Sequence, residues 1–160
     1  MNAVVTPNDT IVQEVTINAP AERIFEALTN PNELLKWWRS EGEFYATQVE
    51  SDLRPGGRWL MVAAGDCKTG KFSRVSGEYR EIERPRLLTF TWVREEEDEI
   101  ETLVRWDLDE VDGVTTVRLT HSGLIAESMR AHNNGWTLIL SLLQTYLDVQ
   151  VADRETAAVQ

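Results

Sequence analysis

The feature that most restricts the fold of this chain is a series of short strand-like segments followed by one long amphipathic helix. Between Phe44 and His121, apolar and polar residues alternate in six segments separated by turn sequences such as Asp112-Gly113. Because the segments are short and joined locally, they predict antiparallel pairing and not parallel strands with helical crossovers. After them, apolar residues recur every three or four positions from Ile125 to Val151, which predicts one long helix.

A strand and two short helices are predicted before this region. Apolar and polar residues alternate over Thr10–Ile17, which predicts a strand. Helix-start signals follow at Pro20 and at Asn30-Pro31, because proline suits the first helical turn. We therefore expect an α+β fold. In it, a strongly curved antiparallel sheet of about seven strands wraps round the long C-terminal helix, and the two short helices after strand one close one end.

The same patterns give the expected domain boundaries. A chain of about 150 residues can bury a sufficient core, so we expect a single domain over residues 10–151. Residues 1–9 lie before the first pattern and are expected to form a flexible N-terminus. Residues 152–160 lose the helical pattern and are expected to form a frayed tail. The acidic run Glu95–Glu99 is expected to be a solvated hairpin loop.

Charge and cysteine content exclude several classes of function. The chain has 27 acidic and 16 basic residues and a net charge of -11, so phosphate backbones and anionic lipid surfaces would repel it. The longest apolar stretch, Trp136–Leu143, is far shorter than the roughly 20 residues that span a bilayer. A lone cysteine forms no internal disulfide, and Met1–Thr10 lacks a secretory signal. We expect a cytoplasmic protein without nucleic-acid binding or membrane insertion.

Seven local sequences occur in the order typical of a known superfamily. They are Ile17–Leu28, Trp37-Trp38, Arg54–Gly57, Gly77–Ile82, Pro85–Trp92, Thr120–Leu124 and Gly135-Trp136. In this order they resemble the START-like, or SRPBCC, superfamily, whose helix-grip fold is shared with Bet v 1-like proteins similar to the birch-pollen allergen. Within it, the chain is most similar to the branch that resembles the C-terminal domain of the activator of the heat-shock-protein-90 ATPase. The resemblance extends from about Ile11 to Leu147.

This resemblance implies a hydrophobic tunnel, which in the superfamily holds lipids, sterols, polyketides or hormones. The full co-chaperone also carries a separate N-terminal domain that has no counterpart in this sequence. Stimulation of a chaperone ATPase is therefore the less expected role.

Aromatic side chains are the main candidates for lining such a cavity. Alternate residues of a strand point to the same side, so Trp59 shares a face with Met61, and Phe90 shares one with Trp92. Large aromatic residues also fill cores, so the same pattern fits a packed interior. The candidate ligand-binding residues are Trp38, Trp59, Met61, Tyr79, Phe90, Trp92, Trp106, His121, His132, Trp136 and Leu140.

Two histidines, His121 and His132, fall on the inward phases of a strand and of the long helix. One interpretation is a neutral, buried histidine that donates to a neighbour. The other is a general acid or base, with Tyr79 orienting a substrate. The sequence has no metal-ligand spacing, nucleophile elbow or nucleotide-binding loop, so we predict no metal, no cofactor and no assigned catalytic residue.

The leading hypothesis is a non-catalytic module that holds an apolar or aromatic small molecule between the sheet and the C-terminal helix. A cavity walled by Trp59, Phe90, Trp92, Trp106 and Trp136 would be its site. The alternatives are an enzyme similar to polyketide cyclases or dehydratases and a co-chaperone-like protein-interaction domain. A homodimer is compatible with the sequence, but nothing in it locates an interface.

Overall fold

The computed structural model describes residues 9–40, 43–65, 72–95, 100–124 and 126–159, with the side chains of 126–131 and 149–159 left out. The expectations for residues 1–8 and for residues 96–99 of the acidic run lie outside the described residues, and so does the lone cysteine, Cys67.

One antiparallel sheet forms most of the fold. Its strands are β1 (Ile11–Ile17), β2 (Arg39–Ser40), β3 (Phe44–Ser51), β4 (Arg58–Ala64), β5 (Ser73–Glu83), β6 (Leu87–Arg94), β7 (Glu101–Val111) and β8 (Val114–Ser122). Their order across the sheet is β1-β8-β7-β6-β5-β4-β3-β2, so the first strand pairs with the last. The curved sheet expected from the sequence is confirmed. The strand β2 is additional, because two residues are too few to show an alternating pattern.

Tight turns and bulges shape this sheet. Asp112 and Gly113 have φ values of 51° and 80°, which is the geometry of the two-residue hairpin turn predicted between β7 and β8. The register shifts between Ala46 and Gln48 in β3, and again between Tyr79 and Glu81 in β5. Such bulges increase the local twist, which bends the sheet round its concave face.

Two short helices, α1 (Ala21–Thr29) and α2 (Pro31–Trp37), follow β1 as predicted. The Asn30 side chain accepts a hydrogen bond from the Asn32 backbone N–H at 2.9 Å, and Pro31 occupies the first turn of α2. On α1, Ile24 and Phe25 are fully buried. The helix therefore covers one end of the core.

The long C-terminal helix, α3 (Ala126–Val159), packs along the concave side of the sheet. Its residues Ile139, Leu143 and Leu147 belong to one core with Val104 and Leu119 of the sheet. No helix within the described ranges combines the length and apolarity needed to cross a bilayer.

The C-terminal boundary of α3 differs from the expectation. The apolar pattern ends at Val151 and residues 152–160 were expected to be frayed, whereas the helical backbone continues to Val159. Residues 152–159 are rich in alanine and also contain arginine and glutamate, all of which have high helix propensity. The flexible N-terminus over residues 1–9 and the single domain over residues 10–151 stay predictions.

Candidate ligand-binding cavity

A cavity of about 470 Å³ lies between α3 and the strands β4, β5 and β6. Its walls are mainly apolar and aromatic, and they include Phe44, Met61, Val75, Trp92, Trp136 and Ile139. We call it the large cavity. Its volume falls in the range of roughly 300 to 1,000 Å³ that is usual for small-molecule sites.

A second space, of about 50 Å³, is lined by aromatic residues nearer to the short helices. We call it the small cavity. It has room for a few water molecules but not for an organic ligand. Both cavities are lined by Trp38, Met61, Trp92 and Trp136, so these four side chains separate them.

Trp92 lies at the centre of the aromatic cluster between the cavities. Its ring centroid is 5.2 Å from that of Trp136 and 5.7 Å from that of Trp59. Trp38 meets Trp136 edge to face at 6.2 Å. Tilted and edge-to-face contacts at these distances are favourable for aromatic rings, so the cluster fills much of the interior.

This packing corrects the expected outline of the cavity. Trp59, Phe90 and Trp106 were expected to wall the ligand site, yet they line the small cavity and not the large one. The strand alternation correctly predicts that these side chains point inward. It does not predict that the tryptophans fill the space between the sheet and α3, because this packing depends on which rings meet in three dimensions.

The predicted residues fall into three groups. The large cavity is lined by Trp38, Met61, Trp92, His132 and Trp136. The small cavity is additionally lined by Trp59, Tyr79, Phe90 and Trp106. Two candidates line neither cavity: Leu140 is buried in the core, and His121 lies beneath the tryptophan cluster.

His121 is fully buried, and hydrogen bonds engage both of its ring nitrogens. Trp136 Nε1 donates to His121 Nδ1 at 2.9 Å, and His121 Nε2 lies 2.7 Å from Thr102 Oγ1. An indole nitrogen can only donate, so Nδ1 must be the acceptor and Nε2 must carry the proton. Thr102 Oγ1 then accepts from His121 and donates to the Trp92 carbonyl oxygen at 3.1 Å.

Protonation of His121 is therefore strongly disfavoured. Burial, with a smaller contribution from the nearby His132, lowers the pKa of His121 to about 3. The ring is neutral at neutral pH, and both of its nitrogens already serve structural bonds. These contacts and the lowered pKa fit the interpretation of His121 as a neutral, buried histidine and do not fit a general acid or base.

Tyr79 is also held by a structural bond. Its hydroxyl lies 2.8 Å from Ser51 Oγ at the small cavity, and burial raises the pKa of Tyr79. His132, in contrast, lines the large cavity. The enzyme hypothesis combines His121 or His132 with Tyr79, and the structure places His132 and Tyr79 at different cavities.

Gly77 explains how Trp59 is positioned. The two residues are opposite each other in the pairing of β4 with β5. A Cβ atom at Gly77 would lie 1.8 Å from the Thr91 carbonyl oxygen and 2.7 Å from Trp59 Nε1. Only glycine leaves room for the indole, whose Nε1 donates to Thr91 O at 3.2 Å.

The large cavity also has lining residues that were not among the candidates: Phe44, Ala63, Val75, Arg94, Gly135 and Ile139. Of these, Arg94 could have been found, because it follows Phe90 and Trp92 on the same phase of β6, and so could Ala63, which follows Trp59 and Met61 on β4. Phe44 could not, since its place depends on how β3 curves towards α3.

The polar side chains that line the large cavity include Ser73, His132 and the half-buried Arg94. Trp92 Nε1 is buried and has no hydrogen-bond acceptor within the described residues. In those ranges, no three His, Cys, Asp or Glu side chains lie close enough together to hold a metal ion.

Together, the wrapped sheet, the long helix and the cavity between them define a helix-grip domain of the START-like type. The sequence of residues 18–148 matches the family described as "Activator of Hsp90 ATPase homolog 1-like protein". The chain therefore belongs to this family, within the SRPBCC superfamily that its sequence resembles. No curated protein matches the chain significantly in sequence.

Solved structures show the same fold. A protein from Chromobacterium violaceum is 23% identical, with a TM-score of 0.74, and the match covers 87% of this chain and 97% of that one. An AHSA1-like protein from Aeromonas hydrophila is 22% identical, with a TM-score of 0.73 and coverage of 88% and 93%. An Hsp90 activator from Plasmodium falciparum is 21% identical, with a TM-score of 0.71 and coverage of 88% and 96%.

Proposed function

We propose that this protein is a binding module that holds an apolar or aromatic small molecule in the large cavity. The observation that carries this proposal is a cavity of about 470 Å³ with mainly apolar and aromatic walls between α3 and the sheet. Such a space is large enough for a ligand. Binding would be favoured because the apolar surface of the ligand would be removed from water.

The site combines rigid walls with few polar groups. Met61 and Val75 on the sheet are buried, as are Trp136 and Ile139 on α3. Because these residues also belong to the continuous core, the cavity would be largely formed before a ligand arrives. Family membership supports a ligand-binding or co-chaperone-like domain in general terms.

Native mass spectrometry of the purified protein with cell extract, and with a panel of lipids and polyketides, would test the proposal. We expect at least one compound to bind with one-to-one stoichiometry and to quench or shift tryptophan fluorescence, because Trp92 and Trp136 line the large cavity. Absence of binding across the extract and the panel would contradict the proposal.

A matched pair of variants locates the binding site. Ala63→Phe places a ring in the large cavity, whereas Val62→Phe places the same ring on the opposite face of β4. Ala63→Phe should weaken binding at least about tenfold, and Val62→Phe should leave it unchanged. Equal affinity for the two variants would show that the ligand binds elsewhere.

A co-chaperone role is the second candidate, and the family description and the Plasmodium falciparum Hsp90 activator favour it. It predicts that adding this protein raises the ATPase rate of an Hsp90 chaperone from the same cell. An unchanged rate at saturating protein would contradict it.

Cytoplasmic location and homodimer formation also stay predictions.

A further inference from the structure

We propose that the ligand is an apolar or aromatic acid whose carboxylate binds Arg94 in the large cavity. This inference rests on the proposed binding function and names the chemical class of its ligand.

Arg94 is placed on the cavity side of the sheet. It is the last residue of β6, and it follows Phe90 and Trp92 at two-residue steps, so the three side chains lie on one face. In the pairing of β5 with β6 it lies opposite Val75, which is buried and also lines the large cavity. Arg94 itself is half-buried.

A neighbouring arginine, Arg74, provides a matched control on the other face of the sheet. Arg74 precedes Val75 on β5 and takes the opposite phase, where its side chain is 57% exposed. It forms an exposed ion pair with Glu95, with 3.9 Å between nitrogen and oxygen. Arg74 and Arg94 thus carry the same charge on opposite faces of the sheet.

The lining of the large cavity favours an anion over a cation. The chain has 27 acidic residues, but none lines this cavity within the described ranges, and Arg94 is the charged residue there. The other polar side chains there include Ser73, whose hydroxyl can donate, and His132. A carboxylate accepts from an arginine through two parallel hydrogen bonds, so it is the complementary head group for an apolar ligand.

Two probes that differ only in the head group test this inference: 2-naphthaleneacetic acid, which is ionised at pH 7.5, and 2-naphthaleneacetamide, which is neutral. Their affinities for the wild-type protein would be measured by isothermal titration calorimetry. We expect the acid to bind about tenfold more tightly than the amide, because a charge-assisted hydrogen bond replaces a neutral one.

The matched variants are Arg94→Gln and Arg74→Gln, since each removes one positive charge. In Arg94→Gln the two probes should bind equally, with the affinity of the amide unchanged. In Arg74→Gln the preference for the acid should persist. Loss of the preference for the acid in both variants would overturn the inference. The preference would then depend on the overall charge of the protein and not on a contact with Arg94.

Failure of the inference is distinguishable from failure of the proposed function. If both probes bind the wild-type protein equally, or if Arg94→Gln keeps the preference, the acid-binding role is wrong while the cavity still binds a ligand. If neither probe binds, the proposed function fails for ligands of this size, and the inference fails with it. Should Arg94→Gln not fold, Arg94→Lys replaces it, and we expect the preference to be reduced but retained because the charge remains.

Discussion

His121 shows how residue type alone leaves a role open. The sequence placed it on the inward phase of a strand, where a structural and a catalytic role were both compatible with the pattern. The structure decides between them, because the indole N–H of Trp136 can only donate to Nδ1 and the Thr102 hydroxyl occupies Nε2. Neither partner could be inferred from spacing, since Thr102 lies on β7 and Trp136 on α3.

Stability should depend on the protonation of His121 in acid. Above the ordinary histidine pKa of 6.5 the ring is neutral in both the folded and unfolded states. Below it, the unfolded chain binds a proton, while the folded protein resists until about pH 3, so the contribution of His121 to stability is lost as the pH falls through this window. Between pH 6.5 and 5, wild type should lose about 1.6 kcal/mol more unfolding free energy than His121→Gln.

Urea unfolding at several pH values measures this difference. Carboxylates with lowered pKa values, such as Glu26, also contribute to acid sensitivity, but they are present in both proteins and cancel in the comparison. Parallel pH curves for wild type and His121→Gln would show that His121 is not held neutral.

The helices and strands were largely predictable because each has a local signal. The alternating segments and the Asp112-Gly113 turn gave the strands, and the Asn30-Pro31 start gave α2. The two-residue β2 and the continuation of α3 to Val159 were not predicted, since neither has an apolar pattern of its own. Local periodicity thus predicts the segments that carry an apolar pattern and misses those that carry none.

Two glycine substitutions of the same chemical type should have opposite effects, because their surroundings differ. Gly77→Ala, in β5, forces a Cβ against the Thr91 carbonyl oxygen and should destabilise the protein by about 2 kcal/mol or more. Gly135→Ala, in α3, meets open space and should stabilise it by roughly 0.5 to 1 kcal/mol through helix propensity. Chemical denaturation of both variants measures the difference. Wild-type stability for Gly77→Ala would show that β5 and β6 do not approach as closely as described.

At the scale of the whole molecule, the order of elements was sufficient to predict a sheet wrapped round a helix. It was not sufficient to place the cavity, which depends on four side chains from four parts of the chain: Trp38, Met61, Trp92 and Trp136. Their packing leaves one small and one large space where the sequence suggested a single cavity. The net charge of -11 is a property of the whole chain, whereas the charge that the proposed ligand would meet is that of Arg94 in the large cavity.

The central claim is that a small molecule binds inside the large cavity, and methyl-detected NMR during titration with 2-naphthaleneacetic acid tests it most directly. We expect the largest shift changes at Met61, Val75 and Ile139, which line the large cavity, and little change at Ile17 and Leu147, which are buried elsewhere in the core. Saturable changes confined to the first group would support the claim. No change at millimolar probe, or changes centred on Ile17 and Leu147, would contradict it.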